Sequence, residues 1–286
     1  MKIIKNEPMK NHTSFKIGGP ADEFCIAKNE EEIIELISYA KEKNIPYFVM
    51  GNGSNLLVSD KGIRGLVINL SGAFSEYEIS GDVIKAKSGA LLSTLAKAAQ
   101  RESLTGMEFA SGIPGTLGGA IYMNAGAYNG QMSDIVKSVT YLENGEIKTL
   151  ESGFGFGYRK SVFADMGAII LEAELQLKKG NIDEIKEKTE DLKRRRTEKQ
   201  PLNLPSAGSV FKRPEGHFAG RLIEAAGLKG YKIGGAAVSG KHAGFIVNTG
   251  GATASDVMSL IKHIQSEVKN KFGVELETEV KEVGEV

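Results

Sequence analysis

Three side chains in this sequence have the types that a reaction through a carbanion would use. Arg159 follows an aromatic and glycine run in FGFGYRKS, Ser209 stands between glycine and valine in PSAGSVFKRP, and Glu279 lies in ELETEVKEV. They would supply a cation to neutralise a developing enolate, a hydroxyl to donate a proton, and an ionisable group to orient or assist. Each has an ordinary structural reading beside it: a packed surface arginine, a turn hydroxyl, a solvent-facing strand glutamate. Their spacing along the chain does not show that they meet.

Two glycine-rich segments would have to hold whatever these groups act with. Residues 109–133, FASGIPGTLGGAIYMNAGAYNGQMS, run twenty-five positions with six glycines and no charged side chain. The length suits a bilayer, but Pro114, Asn124, Asn129 and the repeated glycines argue against a lipid-facing helix. Glycine permits unusual φ and an approach that a Cβ would block, so the segment reads either as backbone against a bulky cofactor or as a tightly packed internal loop. In YFVMGNGSNLLVSD, residues 47–60, Gly51 and Gly53 follow a strand pattern, and successive N–H groups there can face pyrophosphate oxygens. Neither GxGxxG nor GxxxxGKS/T occurs, which removes the Rossmann fingerprint and the P-loop.

Composition narrows the classes further. Lys plus Arg equals Asp plus Glu at 36 each, so no global field draws the protein to nucleic acid or an anionic membrane. Cys25 is the single cysteine, and His12, His217, His242 and His263 lack ligand spacing, so no metal is expected. A Ser-His-Asp hydrolase fits poorly because Ser209 is not in GxSxG. The basic run Lys193, Arg194, Arg195 and Arg196 reads as a solvated helix face among acidic neighbours. The start, MKIIKNEPMKNHTSF, lacks the apolar core of a signal peptide, giving the expectation of a cytoplasmic protein.

The elements that would position these groups are mixed. Periodicity predicts helices over 30–44, around 91–99, over 182–199, near 218–226 and from Thr253, where Asp256 completes a capping box. Strands are expected at 45–50, 66–69, 83–87, 168–177 and 244–248, with a hairpin of 136–141 and 147–150 around Asn144-Gly145. The alternation over 275–283 reads as an edge-exposed strand. Pro201 and Pro205 mark a domain boundary. The expected architecture is α+β in three regions, 1–80, 81–200 and 201–286.

MGNGSN at 50–55, SGIPGTLGGAIYMNAGAY at 111–128, YRKS at 158–161, AGSVFKRP at 207–214 and LETEV at 276–280 occur in an order that resembles the UDP-N-acetylenolpyruvoylglucosamine reductase (MurB) family. The resemblance covers nearly the whole chain. It implies non-covalent FAD in a fold like that of the vanillyl-alcohol-oxidase flavoproteins, with two FAD-binding domains and an α/β substrate domain. It also implies NADPH-dependent reduction of UDP-N-acetylglucosamine enolpyruvate to UDP-N-acetylmuramate in peptidoglycan synthesis, with no obligate protein partner. FAD contacts would come from Met50, Gly51, Asn52, Gly53, Ser54, Asn55 and Leu56, and from Ser111, Gly112, Pro114, Gly115, Gly118, Gly119, Ala120, Asn124, Gly126, Ala127 and Tyr128. Ser209 matches the family's proton donor, Arg159 the arginine that neutralises charge, and Glu279 the glutamate that assists protonation. Lys212, Arg221 and Asn248 would contact the diphosphate or sugar. The chain resembles the shorter branch, without the inserted loop that carries a substrate-clamping tyrosine. From the glycine-rich contacts alone, another FAD oxidoreductase or a non-catalytic nucleotide-binding protein would fit as well.

Overall fold

Alternation along the strand Ile169–Gln176 divides it between an apolar core and a row of charges. Leu171, Ala173 and Leu175 are buried, while Glu172 meets Lys85 at 3.1 Å and Lys87 at 2.9 Å, and Glu174 meets Lys137 at 3.0 Å. In this computed structural model, which describes residues 2–285, the strand is the centre of a five-stranded antiparallel sheet. The order is Glu146–Leu150, Val136–Glu143, Ile169–Gln176, Val83–Lys87, Tyr77–Ser80. The Asn144-Gly145 turn has φ of 53° and 88°, the paired left-handed geometry that matches strand twist in a two-residue hairpin.

This sheet lies in the first of two units, built from Cys25–Asn52 and Val67–Arg196. Its core joins Ile84, Leu92, Leu95, Leu117, Ile121, Tyr141 and Phe163. Leu92 and Leu95 come from the helix Leu92–Arg101, and Leu117 and Ile121 from a short helix, Leu117–Tyr122, inside the glycine-rich segment. Those two apolar anchors fix the segment to the sheet, and Leu117 N–H and Gly118 N–H donate to Ala90 O and Ser88 O, each at 2.8 Å. The same unit contains the helix Glu30–Glu42, capped by the Asn29 side chain, and the strand Tyr47–Met50.

The second unit gathers Ile3–Phe24, Gly53–Leu66 and Thr197–Val286. Helix Ala254–Phe272 buries Val257, Leu260, Ile261, Ile264 and Val268. It shares its core with the antiparallel strands Ala236–Val238 and Ile246–Asn248 and the helix Ala219–Ala225. The expected capping box is present: Thr253 Oγ1 accepts from Asp256 N–H, and Asp256 accepts from Thr253 N–H.

The expected strand over 275–283 is shorter than its alternation implies. Only Lys281–Val283 enters a ladder, paired parallel with Leu56–Val58. Upstream, Leu276 and Val280 are the buried positions, four residues apart, and Thr278 between them is exposed, so the period of two fails there.

Candidate active site

In the first unit, Asn52 and the glycine-rich segment are joined directly: Asn52 Nδ2 donates to Pro114 O at 2.7 Å. Gly51 lies so close to Thr116 that a Cβ would stand 2.2 Å from its Oγ1. Gly118 is pressed against Ser88 and Gly112 against Arg196, whereas Gly119 has only Thr116 Oγ1 near, at 3.6 Å. The packed-loop reading holds for most of these glycines, which press against the protein, while Gly119 presents an open backbone. Asn124, buried at 3% exposure, accepts from Ser133 N–H at 2.9 Å and donates to Gly157 O at 3.0 Å. Gly126–Ala127 and Gly130–Gln131 form a hairpin whose turn residues, Tyr128 and Asn129, have φ of 52° and 67°. A 320 Å³ cavity beside this turn is lined by Thr105, Glu108, Asp134, Gln176 and Lys188, and Tyr128 is the one candidate cofactor residue at its wall.

Arg159 occupies the second position of a two-residue turn closed by Gly157 and Lys160, with φ of 57°. Its guanidinium stacks 5.0 Å from the Tyr158 ring centroid. The Asn124 bond to Gly157 and a bond from the fully buried Ser161 Oγ to Tyr122 O, 2.8 Å, fasten the turn to the glycine-rich segment. The structure thus brings Arg159 to the residues expected to hold the cofactor.

The donor count of the first loop also suits an anion. No acceptor among the described residues takes the N–H groups of Asn52, Gly53, Ser54 and Asn55, and such a run of amides makes an anion-binding concavity. Within the second unit, Ser14 N–H holds Gly53 O at 3.2 Å, and Asn55 Nδ2 donates to Glu279 O at 3.2 Å.

In that second unit the segments that carry Ser209 and Glu279 run side by side. Ser209 bridges Phe245, Val210 N–H donates to Gly244 O, and Glu279 N–H donates to Val210 O at 2.7 Å. The two residues therefore stand on adjacent extended segments, each half-buried. Behind them, burial pushes His242 below its ordinary value, and its Nδ1 accepts from Gly244 N–H at 3.1 Å, so the ring is a neutral brace for this turn.

The substrate candidates separate. Lys212 Nζ pairs with Glu277 at 2.8 Å. Arg221 is exposed and lies 5.0 Å from the Phe218 ring centroid, with Arg213 at 4.0 Å from the same ring. Asn248 is turned inward: its amide donates to Phe15 O and its carbonyl accepts from Gly250 and Ala252 N–H, so it organises the loop around it.

The basic run needs one correction. Arg194 and Arg195 share Asp191 and face solvent as expected, but Arg196 turns inward onto Gly112. The signal was present in the helix Ile182–Lys199. Residues 185, 189, 192 and 196 recur on one face, and three successive basic residues cannot all share the opposite one.

Comparison with known proteins gives two family matches: residues 21–151 to an FAD binding domain, and residues 200–283 to the UDP-N-acetylenolpyruvoylglucosamine reductase C-terminal domain. A UDP-N-acetylenolpyruvoylglucosamine reductase of Caldanaerobacter subterraneus subsp. tengcongensis is 56% identical, covering 99% of this chain and 94% of its own. That of Clostridioides difficile is 55% identical with the same coverage. The crystal structure of the Thermus caldophilus enzyme superimposes with a TM-score of 0.85 at 36% identity, covering 99% of this chain and 98% of that one.

Proposed function

The chain belongs to the UDP-N-acetylenolpyruvoylglucosamine reductase family, and from that premise we propose how its own residues divide the reaction. The protein is an FAD-dependent reductase that converts UDP-N-acetylglucosamine enolpyruvate to UDP-N-acetylmuramate for peptidoglycan synthesis. Bound FAD supplies the hydride relay from NADPH to the enolpyruvyl double bond.

Net reduction adds a hydride equivalent to the terminal vinyl carbon and a proton to its neighbour. Negative charge develops on that neighbour and on the attached carboxylate. Arg159, fixed in its pinned turn, neutralises this charge with a guanidinium that stays ionised and offers several donors in one plane. Ser209 donates the proton to the neighbouring carbon, and Glu279 assists that transfer. The single observation supporting this assignment is the Glu279 N–H to Val210 O bond, which sets the carboxylate's segment beside the serine's. Serine is a weak acid, so the transfer requires carbanion character at the accepting carbon and a neighbour that stabilises the alkoxide.

Met50, Gly51, Asn52 and residues 111–128 hold FAD, helped by the amides of 52–55. Lys212 and Arg221 meet the UDP-sugar, while Asn248 positions the loop beneath. No described helix is long and apolar enough to cross a membrane. A cytoplasmic setting follows from the reading, since NADPH and a nucleotide sugar are soluble metabolites.

The test is anaerobic absorbance of FAD-loaded protein. Ser209→Ala should bleach with NADPH like the wild type, then recover on adding the enolpyruvyl substrate roughly 10²-fold or more slowly. Recovery at the wild-type rate would remove Ser209 from the proton transfer.

A further inference from the structure

Arg196 stands on the buried seam of the helix Ile182–Lys199, one turn after Leu192. Its neighbours Arg194 and Arg195 have Asp191, but no carboxylate or hydrogen-bond acceptor among the described residues takes the Arg196 guanidinium. Burial pushes this guanidinium below its ordinary value, and the Tyr128 side chain lies within electrostatic reach of it. The Arg196 side chain lies directly on Gly112, where a Cβ would be 2.8 Å from Nη1 and 3.0 Å from Cδ. A half-buried, unbalanced cation destabilises a fold until an anion reaches it. Here it is held among Gly112 and Tyr128, two residues of the segment assigned to the cofactor.

We propose that Arg196 is a cofactor-binding residue whose guanidinium pairs, over Gly112, with a negatively charged oxygen of bound FAD. The inference rests on the FAD reading above. Two parts of FAD carry the required chemistry: the diphosphate, charged at all times, and the N1–C2=O edge of the ring system, which gains charge on reduction. A fixed guanidinium fork suits either oxyanion. Gly112 is the matching element, because its φ is not left-handed and its lack of a side chain serves contact alone.

The experiment measures FAD dissociation constant, midpoint potential of the holoprotein and thermal unfolding of the apoprotein for wild type, Arg196→Gln, Arg196→Lys and Gly112→Ala. Arg196→Gln should weaken FAD roughly tenfold or more, Arg196→Lys should recover part of that, and Gly112→Ala should reproduce the loss by displacing the guanidinium. The apoprotein of Arg196→Gln should melt no lower than wild type. Weakened binding at unchanged potential assigns the diphosphate. A tenfold change in the ratio of oxidised to reduced affinity, about 30 mV for a two-electron couple, assigns the ring edge. Wild-type affinity and potential in Arg196→Gln, with or without a fall in apoprotein melting, would overturn the proposal. Failure of the wild type to bind FAD would instead remove the cofactor reading itself.

Discussion

At the scale of single residues, Tyr128 at φ 52° and Arg159 at φ 57° are the two residues other than glycine and asparagine that hold left-handed backbone around the assigned site. Such a conformation costs an L-residue roughly 1–2 kcal/mol, so the surrounding fold must fix both against that preference. For Tyr128 the hairpin does so, and the Tyr128→Asn variant should raise apoprotein stability by up to about 1 kcal/mol, since asparagine visits this region readily. Its FAD affinity should not rise with it; denaturant titration and flavin fluorescence separate the two effects. For Arg159, Arg159→Lys keeps a charge but loses the planar fork, so turnover should fall roughly tenfold or more while melting stays at the wild-type value. An equal loss of both would mean that the arginine supports the turn instead of the substrate. The residue types of Arg159, Ser209 and Glu279 were legible from the sequence. What was not legible is the bond network that seats them, because Asn124 to Gly157 and Asn55 to Glu279 join positions 33 and 224 residues apart.

At the scale of elements, the helix Ala254–Phe272 shows where local reading stops. Its capping box, Thr253 and Asp256, is written within four residues and was readable. A second cap comes from Asp60, whose carboxylate accepts from Ala254 N–H at 2.7 Å, Ser255 N–H at 2.9 Å and Ser255 Oγ at 2.7 Å. Nothing near residue 60 announces that partnership. Burial raises the Asp60 pKa, but the bonds from Ser255 and Ala254 outweigh it and hold the carboxyl below its ordinary 3.8. A depressed folded value means that the carboxylate's contribution is present above 3.8 and is lost as pH falls through the lower folded value. Asp60→Asn should therefore cost about 1 kcal/mol near neutrality, and the difference from wild type should shrink as the pH drops below 3.8. Parallel urea titrations at the two pH values check it, and a pH-independent difference would mean that the side chain acts by shape. The helix Ile182–Lys199 makes the complementary point. Its boundaries matched the charge and proline pattern, yet reading 193–196 as one basic run hid that position 196 falls on the seam of Ile185 and Leu192.

At the scale of the whole molecule, equal numbers of acidic and basic residues leave no long-range field for FAD, NADPH or the UDP-sugar, all of them anionic, to follow. Attraction has to be local, and the proposed assignments would supply it from the amides of residues 52–55 and Arg196 for the cofactor and from Lys212 and Arg221 for the nucleotide sugar. Of these, the half-buried Arg196 guanidinium is costly in the empty protein, because a desolvated cation without an acceptor favours states in which water reaches it. Ligand binding reverses that preference, so the folded state should gain stability from FAD in proportion to occupancy. At a free FAD concentration about 100 times its dissociation constant, mass action predicts a gain of about 2.7 kcal/mol. In Arg196→Gln the gain at the same FAD concentration should be smaller by the loss in affinity, whereas in Ser209→Ala it should equal the wild-type value, since that hydroxyl is assigned to the proton and not to the cofactor. Chemical denaturation with and without FAD measures all three. An FAD-dependent gain that Ser209→Ala diminished as strongly as Arg196→Gln would show that the serine supports the cofactor, and would separate its effect on turnover from any role as the acid.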